Sequence, residues 1–281
     1  MRVLVTGAGG QLGRELLDAF QPHTVLGAAR KELDVTDRDA VMQACTTFRP
    51  DAVVHAGAWT DVDGCQTDPD RAWAVNALGT RHVAEAARLV GARVCYVSTD
   101  YVFDGTADRP YTEWDEPNPL SVYGRSKLGG ERELGPDATI VRTSWLCGRH
   151  GRNMVRTLLR LAGETGAGRL AFVDDQHGCP TVAADLAGAV RALVVARRPG
   201  VFHVTNQGAT TWFGLARAVL EMAGLDPERV EPVSTDALRP PRPARRPCYS
   251  VLDNTALRLG GLPLLADWHE PIERLVKELT A

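Results

Sequence analysis

Tyr123 and Lys127 stand four residues apart in Ser121-Val-Tyr-Gly-Arg-Ser-Lys-Leu-Gly-Gly-Glu131, a stretch free of proline. In a helix both side chains emerge on one face, about a turn apart. An ammonium beside a phenol favours phenolate, so the spacing predicts a tyrosine pKa drawn down from about 10 toward working pH. Such a phenol can give or take a proton at a sugar-like C–O bond. A solvated lysine near a packed tyrosine would show the same spacing, so the preceding residues decide. There the run Arg93–Ser98 reads as a strand that delivers Thr99, placed to hydrogen-bond a carbonyl oxygen alongside Tyr123. Thr99 and Asp100 are also ordinary turn formers. The proline-bearing loop between (Pro110, Pro117, Pro119) and the downstream pair favour catalysis.

These groups need a scaffold, and the N-terminal residues describe one. Arg2–Thr6 is a short β-rich run that ends in Gly7-Ala-Gly-Gly10-Gln-Leu-Gly13. Helical periodicity then begins with Leu12, Leu16, Leu17 and Phe20. Strand, glycine turn and helix together form a dinucleotide fingerprint, in which backbone approaches the pyrophosphate at a helix N-terminus. Gly7, Gly10, Gln11, Leu12 and Gly13 are therefore candidate cofactor contacts. The next strand, His23–Ala28, ends without the carboxylate that would hold a ribose 2′-hydroxyl; Arg30 follows it instead. A guanidinium suits a 2′-phosphate, which points to NADPH, with NADH as the alternative. Asp34 and Val35 come next, to reach the adenine edge or cap a turn, before a helix over Arg38–Phe48. A third strand from Asp51 runs into Ala56, Gly57 and Ala58, whose small side chains leave room for a ligand, with Thr60 just beyond. The spacing predicts one helix over Asp70–Val90, closed by Gly91. Asn76, a poor helix former, sits in its middle, either facing solvent or bonding backbone beside the active site.

The balance of the chain is unremarkable in ways that exclude classes. Its 281 residues accommodate one large lobe and a smaller one, and 44% hydrophobic with 24% charged content supplies a core. A net charge of -3, from 32 basic and 35 acidic residues, argues against nucleic acid as the main partner. No apolar run approaches the roughly 18 residues of a membrane span, and no signal-peptide pattern precedes the glycines. Six scattered cysteines without a Cys-x-x-Cys read as buried thiols of a reducing compartment, so cytoplasm is expected.

Thr6-Gly7-x-x-Gly10-x-x-Gly13, Ser98-Thr99-Asp100 and Tyr123-x-x-x-Lys127 together resemble an extended short-chain dehydrogenase/reductase. Leu33-Asp-Val-Thr-Asp37, Ser98-Thr-Asp-Tyr-Val-Phe103, Arg142-Thr-Ser-Trp145, Asp175-Gln-His-Gly-Cys-Pro-Thr181 and Pro243-Ala-Arg-Arg-Pro247 narrow this further. With Gly10-Gln-Leu-Gly13 they are similar to the dTDP-4-dehydrorhamnose reductase family, over residues 3 to about 255. The resemblance implies a Rossmann-type α/β fold, a doubly wound parallel sheet with a smaller α/β substrate-binding lobe. It implies Thr99, Tyr123 and Lys127 as the catalytic set and a dTDP-sugar as substrate. Asp100, Val102, Phe103 and Trp145 would contact that sugar nucleotide, as would Asn153 and Gln176. Some family members are magnesium-linked dimers. Glu15 matches one carboxylate of that link, but Ala184 stands where another would be, so magnesium gains no support and monomer or homodimer stays open.

Ala138–Thr143 reads as the fifth strand, closing a dinucleotide half over 1–145. Residues 146–281 would form mainly the substrate lobe, with some segments returning. In it fall helix Asn153–Gly163, strand Leu170–Val173, helix Ala183–Ala196, strand Val201–Val204 and helix Trp212–Ala223. The carboxylates and histidine of Asp174-Asp-Gln-His177 lack the spacing of a zinc site, and Gly178 and Pro180 suggest a turn. Leu238-Arg-Pro-Pro-Arg-Pro-Ala-Arg-Arg-Pro247 is either a basic linker or a stiffened lid whose Arg245 and Arg246 grip a diphosphate. The reaction expected is NAD(P)H-dependent reduction of the C4 ketone of a dTDP-4-keto-6-deoxyhexose. A ketoreductase for another deoxysugar, a sugar-nucleotide epimerase or dehydratase, and a non-catalytic dinucleotide sensor are the alternatives.

Overall fold

Val3, Leu4 and Val5 of β1 (Arg2–Thr6) are all buried, as a strand covered on both faces requires. The structure, a computed structural model, describes residues 1–164 and 168–281. After β1 come α1 (Gln11–Ala19), β2 (Thr24–Ala28), α2 (Arg38–Phe48) and β3 (Ala52–His55). α3 (Val62–Thr67), α4 (Pro69–Trp73), a π turn at Ala74–Leu78 and α5 (Gly79–Val90) lead to β4 (Arg93–Thr99). The chain continues through α6 (Val122–Arg132), β5 (Thr139–Thr143), β6 (Leu146–Cys147), α7 (Met154–Gly163) and β7 (Leu170–Val173). β8 (His177–Gly178), β9 (Thr181–Val182), α8 (Ala183–Val195), β10 (Gly200–His203), β11 (Thr210–Thr211) and α9 (Trp212–Met222) follow. β12 (Val230–Val233), α10 (Thr255–Leu259) and α11 (His269–Thr280) end it.

The main sheet is parallel throughout, in the order β2-β1-β3-β4-β5-β10. The chain steps outward from β1 to β2, then returns to place β3 on the other side of β1. The carboxyl ends of β1 and β3 therefore border a topological switch point, where open α/β sheets form their ligand crevice. Leu12 and Leu16 of α1 pack with Leu186, Ala187 and Val190 of α8 on one face of the sheet. Val41 and Cys45 of α2 and Val83, Ala86 and Ala87 of α5 cover the other. A separate core joins α7, α9 and α11 through Leu158, Leu215, Leu220 and Ile272, beside the parallel pair β7–β12.

Two expectations are corrected here. The strand and helix assigned to the smaller lobe, now β10 and α8, belong to the main sheet: β10 pairs with β5 from Gly200↔Thr139 to His203↔Arg142. The apolar faces of β5 and α1 would otherwise lie open, and these two elements cover them. The single helix over Asp70–Val90 is also broken. Asp68 caps α4 through the Arg71 N–H, and the π turn holds Asn76 inward at 1% exposure. A π turn inside a helix often accompanies a functional site.

α6 is fastened to the sheet by a buried charge cluster. The Arg142 guanidinium on β5 donates to both Glu131 oxygens at 3.0 and 2.7 Å, and the Ser98 hydroxyl on β4 donates to Glu131 Oε1 at 2.5 Å. Both charged side chains are 5% exposed. Removing one partner strands the other, so Arg142→Met is expected to lose about 3–5 kcal/mol in urea unfolding. The double variant Arg142→Met/Glu131→Leu should recover much of that loss; a single variant as stable as the parent would contradict this role.

Candidate active site

The Ser121 hydroxyl accepts the Gly124 N–H at 3.2 Å and starts α6, which points Tyr123 and Lys127 into one crevice of about 920 Å³. Lys127 is 2% exposed. Its ammonium donates to the Val97 carbonyl at 2.7 Å and lies 4.0 Å over the Tyr96 ring. Burial pulls its pKa down to about 7, with the Glu131 carboxylate acting the other way. Tyr123 forms a half-buried part of the wall, edge-on to Tyr101 with ring centroids 6.0 Å apart. Burial pushes its hydroxyl above the ordinary value; hydrogen bonding to Thr99 offsets only part, and the Asp100 charge adds to the rise. The expected fall in the tyrosine pKa is thus corrected. Lys127 is committed to Val97, and desolvation of the phenol decides the sign.

Thr99 ends β4 at 6% exposure. It lies beside Thr143 of β5 in the strand register. Its hydroxyl donates to Asp100 Oδ1 at 3.0 Å and accepts the Tyr101 N–H at 3.2 Å. Asn76 fixes the neighbouring wall. Its amide oxygen accepts the Trp59 N–H at 2.8 Å, and its amide nitrogen donates to the Trp59 carbonyl at 3.1 Å and Ser126 Oγ at 2.9 Å. Of the two readings of Asn76, backbone anchoring beside the site is the one observed. Behind it, His55 bridges Thr6 (2.7 Å) and Thr80 (3.2 Å), and burial pulls its imidazole down to about 3, so it stays neutral.

The other end of the crevice has a cradle for a dinucleotide. Gly7 turns the chain at φ 69°, and Gly10 caps α1 without any side-chain hydrogen bond. The first N–H groups of α1 therefore have no side-chain acceptor at the helix cap, which fits a diphosphate. Gln11, Leu12, Gly13, Ala56, Gly57, Ala58 and Thr60 line the same space. Arg30 lines it too, 72% exposed and 3.6 Å from Asp34, with Lys31 next to it. Asp34 accepts the Thr36 N–H and hydroxyl, and these bonds hold its carboxyl below the usual range. It caps a turn at the crevice edge, with Val35 behind it.

Trp145 lines the same crevice with φ 45°, a left-handed conformation that a bulky residue seldom adopts. It stacks on Trp212 at 3.6 Å between centroids and 9° between planes. A Cβ on Gly178 would come within 2.4 Å of the indole, so glycine is required there. Trp212 carries no marker in the sequence beyond opening α9. Trp59, Arg71, Ser144 and Arg152 also line the crevice and were missed. Arg71 lies 4.2 Å over the Trp59 ring, a pairing that only the fold brings together.

Several expected substrate contacts lie elsewhere. Val102 and Phe103 are wholly buried in a core with Tyr111, Leu128 and Leu252, because the turn after β4 points them inward. Asn153 caps α7 through the Arg156 N–H and donates to Gln11 and Gly148. Gln176 is 5% exposed and donates to the Thr235 hydroxyl. Arg246 is bound bidentately by Asp63 of α3 at 2.5 and 2.7 Å, which latches the arginine–proline loop; it is not free for a diphosphate. Arg245 is exposed outside the crevice wall. Magnesium does not fit the region around Glu15. Arg149 grips that carboxylate at 2.9 and 3.1 Å and also reaches Asp18 and Glu278, while Ala184 offers no ligand atom. A guanidinium already supplies the positive charge.

Residues 1–281 match the family model described as the RmlD substrate binding domain. The chain is 45% identical over 278 residues to a dTDP-4-dehydrorhamnose reductase of Streptomyces griseus, spanning 95% of this chain and 90% of that one. It is 41% identical over 273 residues to a dTDP-4-keto-6-deoxy-D-glucose reductase of Streptomyces niveus, spanning 95% and 93%. The crystal structure of a dTDP-4-dehydrorhamnose reductase from Bacillus anthracis in complex with NADP is 39% identical, with TM-score 0.94 over 99% of both chains.

The buried lysine gives a signed prediction. Unfolded, Lys127 titrates at about 10.4; folded, at about 7. Between those values the unfolded state binds more protons, so stability rises with pH. The lysine's penalty on folding is complete below pH 7 and relieved above it. Lys127→Met should therefore raise the melting temperature more at about pH 6 than at about pH 10. An equal change at both would contradict the depressed pKa.

Proposed function

The chain belongs to the dTDP-4-dehydrorhamnose reductase family, and from that premise we propose that it reduces the C4 ketone of a dTDP-4-keto-6-deoxyhexose with NADPH. The preferred substrate is dTDP-4-dehydro-L-rhamnose, giving dTDP-L-rhamnose. The observation that carries this reading is the convergence of Thr99, Tyr123 and Lys127 on one crevice with the uncapped start of α1.

NADPH, when bound, supplies the hydride. The chain does the rest. Gly7, Gly10 and the first N–H groups of α1 would hold the cofactor's diphosphate. Arg30 and Lys31 would face the 2′-phosphate, and Lys127, with one donor on Val97, would offer its remaining N–H groups to ribose hydroxyls. Tyr123 donates its proton to the oxygen that gains charge at C4. Its raised pKa keeps it protonated until that charge develops, and Thr99 hydrogen-bonds the same oxygen. Trp145, backed by Trp212, offers an apolar face to the deoxyhexose.

We read residues 1–145 as the dinucleotide half and 146–281 as mainly the substrate lobe, with α8 and β10 returned to the sheet. Five of the six free thiols are buried as expected, Cys248 being exposed, and they suit a reducing cytoplasm; among the described residues no helix is long and apolar enough to cross a membrane. A monomer or a homodimer is compatible with this arrangement. A second reading, reduction of a different 4-keto deoxysugar, is favoured by the similarity to the Streptomyces niveus reductase.

NADPH absorbance with enzymatically made dTDP-4-keto-L-rhamnose, against the unepimerised 4-keto-6-deoxyglucose, separates the readings. Rapid oxidation with the first alone is expected; oxidation with the second alone would favour the other deoxysugar. Tyr123→Phe should lose at least about 100-fold in kcat, the scale of a general acid. Its NADPH affinity should be nearly unchanged. Undiminished turnover would remove Tyr123 as the proton donor.

A further inference from the structure

The Thr99 hydroxyl has a single proton, for which the Asp100 carboxylate and the Tyr123 oxygen compete. Thr99 Oγ1 donates to Asp100 Oδ1 at 3.0 Å, while the Tyr101 N–H donates into Thr99 Oγ1 at 3.2 Å. Asp100 Oδ2 accepts the Ser250 hydroxyl at 2.6 Å. Ser250 is itself anchored, its N–H donating to the His177 carbonyl at 2.8 Å. Asp100 and Ser250 are each 2% exposed. An ionised carboxylate only accepts hydrogen bonds, and a hydroxyl that donates to it has only lone pairs left for other groups. Thr99 in that state would present lone pairs to a substrate oxygen that also presents lone pairs. A neutral carboxyl protonated on Oδ1, the oxygen that Ser250 does not fill, reverses the direction: its O–H donates to Thr99 Oγ1 and releases the Thr99 proton toward the crevice.

We propose that Asp100 is a positioning residue that sets the direction of the Thr99 hydrogen bond: neutral Asp100 makes Thr99 a donor to the substrate oxygen, and ionised Asp100 withdraws that donor. This deepens the reductase reading and rests on it. It also gives Ser250, which lies outside the crevice wall, a part in the chemistry.

The surroundings place the change where it matters. Burial raises the Asp100 carboxyl to about 7, although the Ser250 and Thr99 hydrogen bonds pull it down. The titratable groups that face it are Tyr101 beside it, Tyr123 on α6 and Cys179 before β9. Burial pushes all three upward, so they stay neutral through the range in which Asp100 ionises. Lys127 shares the crevice, is bonded to Val97 and titrates at about 7 as well. The test must therefore tell the two apart.

The experiment is the pH dependence of kcat at saturating NADPH and ketosugar for the parent and three variants. In the parent, kcat should fall roughly tenfold as pH rises through the Asp100 limb, the scale of one hydrogen bond to the reacting oxygen. Ser250→Ala removes a hydrogen bond that favours the carboxylate, so the limb should move up by about one pH unit or more. Asp100→Asn and Thr99→Val should each flatten it, the first because an amide does not ionise and the second because no hydroxyl remains to redirect. Ser250→Ala alters no charge and keeps the test decisive should Asp100→Asn fail to fold. A parent without the limb overturns the inference, as does a limb that keeps its midpoint and depth in Ser250→Ala and Thr99→Val, the result expected if Lys127 is its source. No turnover by the parent at any pH overturns the reductase reading, and this inference with it.

Discussion

The Glu131 carboxylate, buried between α6 and the sheet, is the contact on which the reactive geometry depends. It draws Arg142 from β5 and Ser98 from β4 onto one helix, and Ser98 is the residue before Thr99. The same helix carries Tyr123 and Lys127 on its crevice side. Asn76 supplies the second fastening, joining Ser126 of α6 to the backbone of Trp59. A buried ion pair is a poor source of net stability, because desolvation offsets most of its attraction. Its value here lies in register. A hydrophobic pair could hold α6 against the sheet, but would permit the small rotations that an apolar surface tolerates. A bidentate guanidinium–carboxylate pair fixes orientation as well as distance.

Desolvation then sets the protonation states. Asp100 and Lys127 are both moved to about 7 by burial, one upward and one downward. Tyr123 is raised and His55 is held neutral by the same cause. Charge beside the reacting groups is thus weakly held, negative at Asp100 and positive at Lys127. Ligands that bring ribose hydroxyls, phosphates and a polarised ketone can alter those states on binding. The stacked pair Trp145–Trp212 and the glycine at 178 supply the apolar counterpart, a rigid face whose left-handed backbone is maintained by its packing.

Much of this was legible in the residues. β1, the glycine turn and α1 could be read from local pattern, as could the α2 boundaries, because strand, turn and helix signals fell in sequence order. The Tyr123–Lys127 spacing survived for the same reason: four residues along a helix fix a shared face. What failed was tertiary. A short apolar strand looks alike in either lobe, so local pattern leaves Val201–Val204 in the smaller one, whereas β10 pairs with β5 in the main sheet. Arg246 looked like a free cation because Asp63, its partner, is 183 positions away. Val102 and Phe103 follow Thr99 directly, yet the turn after β4 buries them. The tyrosine pKa went the wrong way because sequence supplies the neighbouring charge but not the depth of burial. Trp212 and Ser250 left no trace at all, since each acts through a residue far from it in the chain.

The central claim is that this crevice passes a hydride irreversibly from nicotinamide to a sugar carbon, with no return to the cofactor. Stereospecifically 4-deuterated NADPH, with the deuterium in the position that is transferred, tests it by NMR of the sugar product. The account predicts one deuterium at C4 of the hexose for each cofactor oxidised. Label that stays on the cofactor, or appears at another sugar carbon while the cofactor is regenerated, would contradict it and indicate an epimerase or dehydratase.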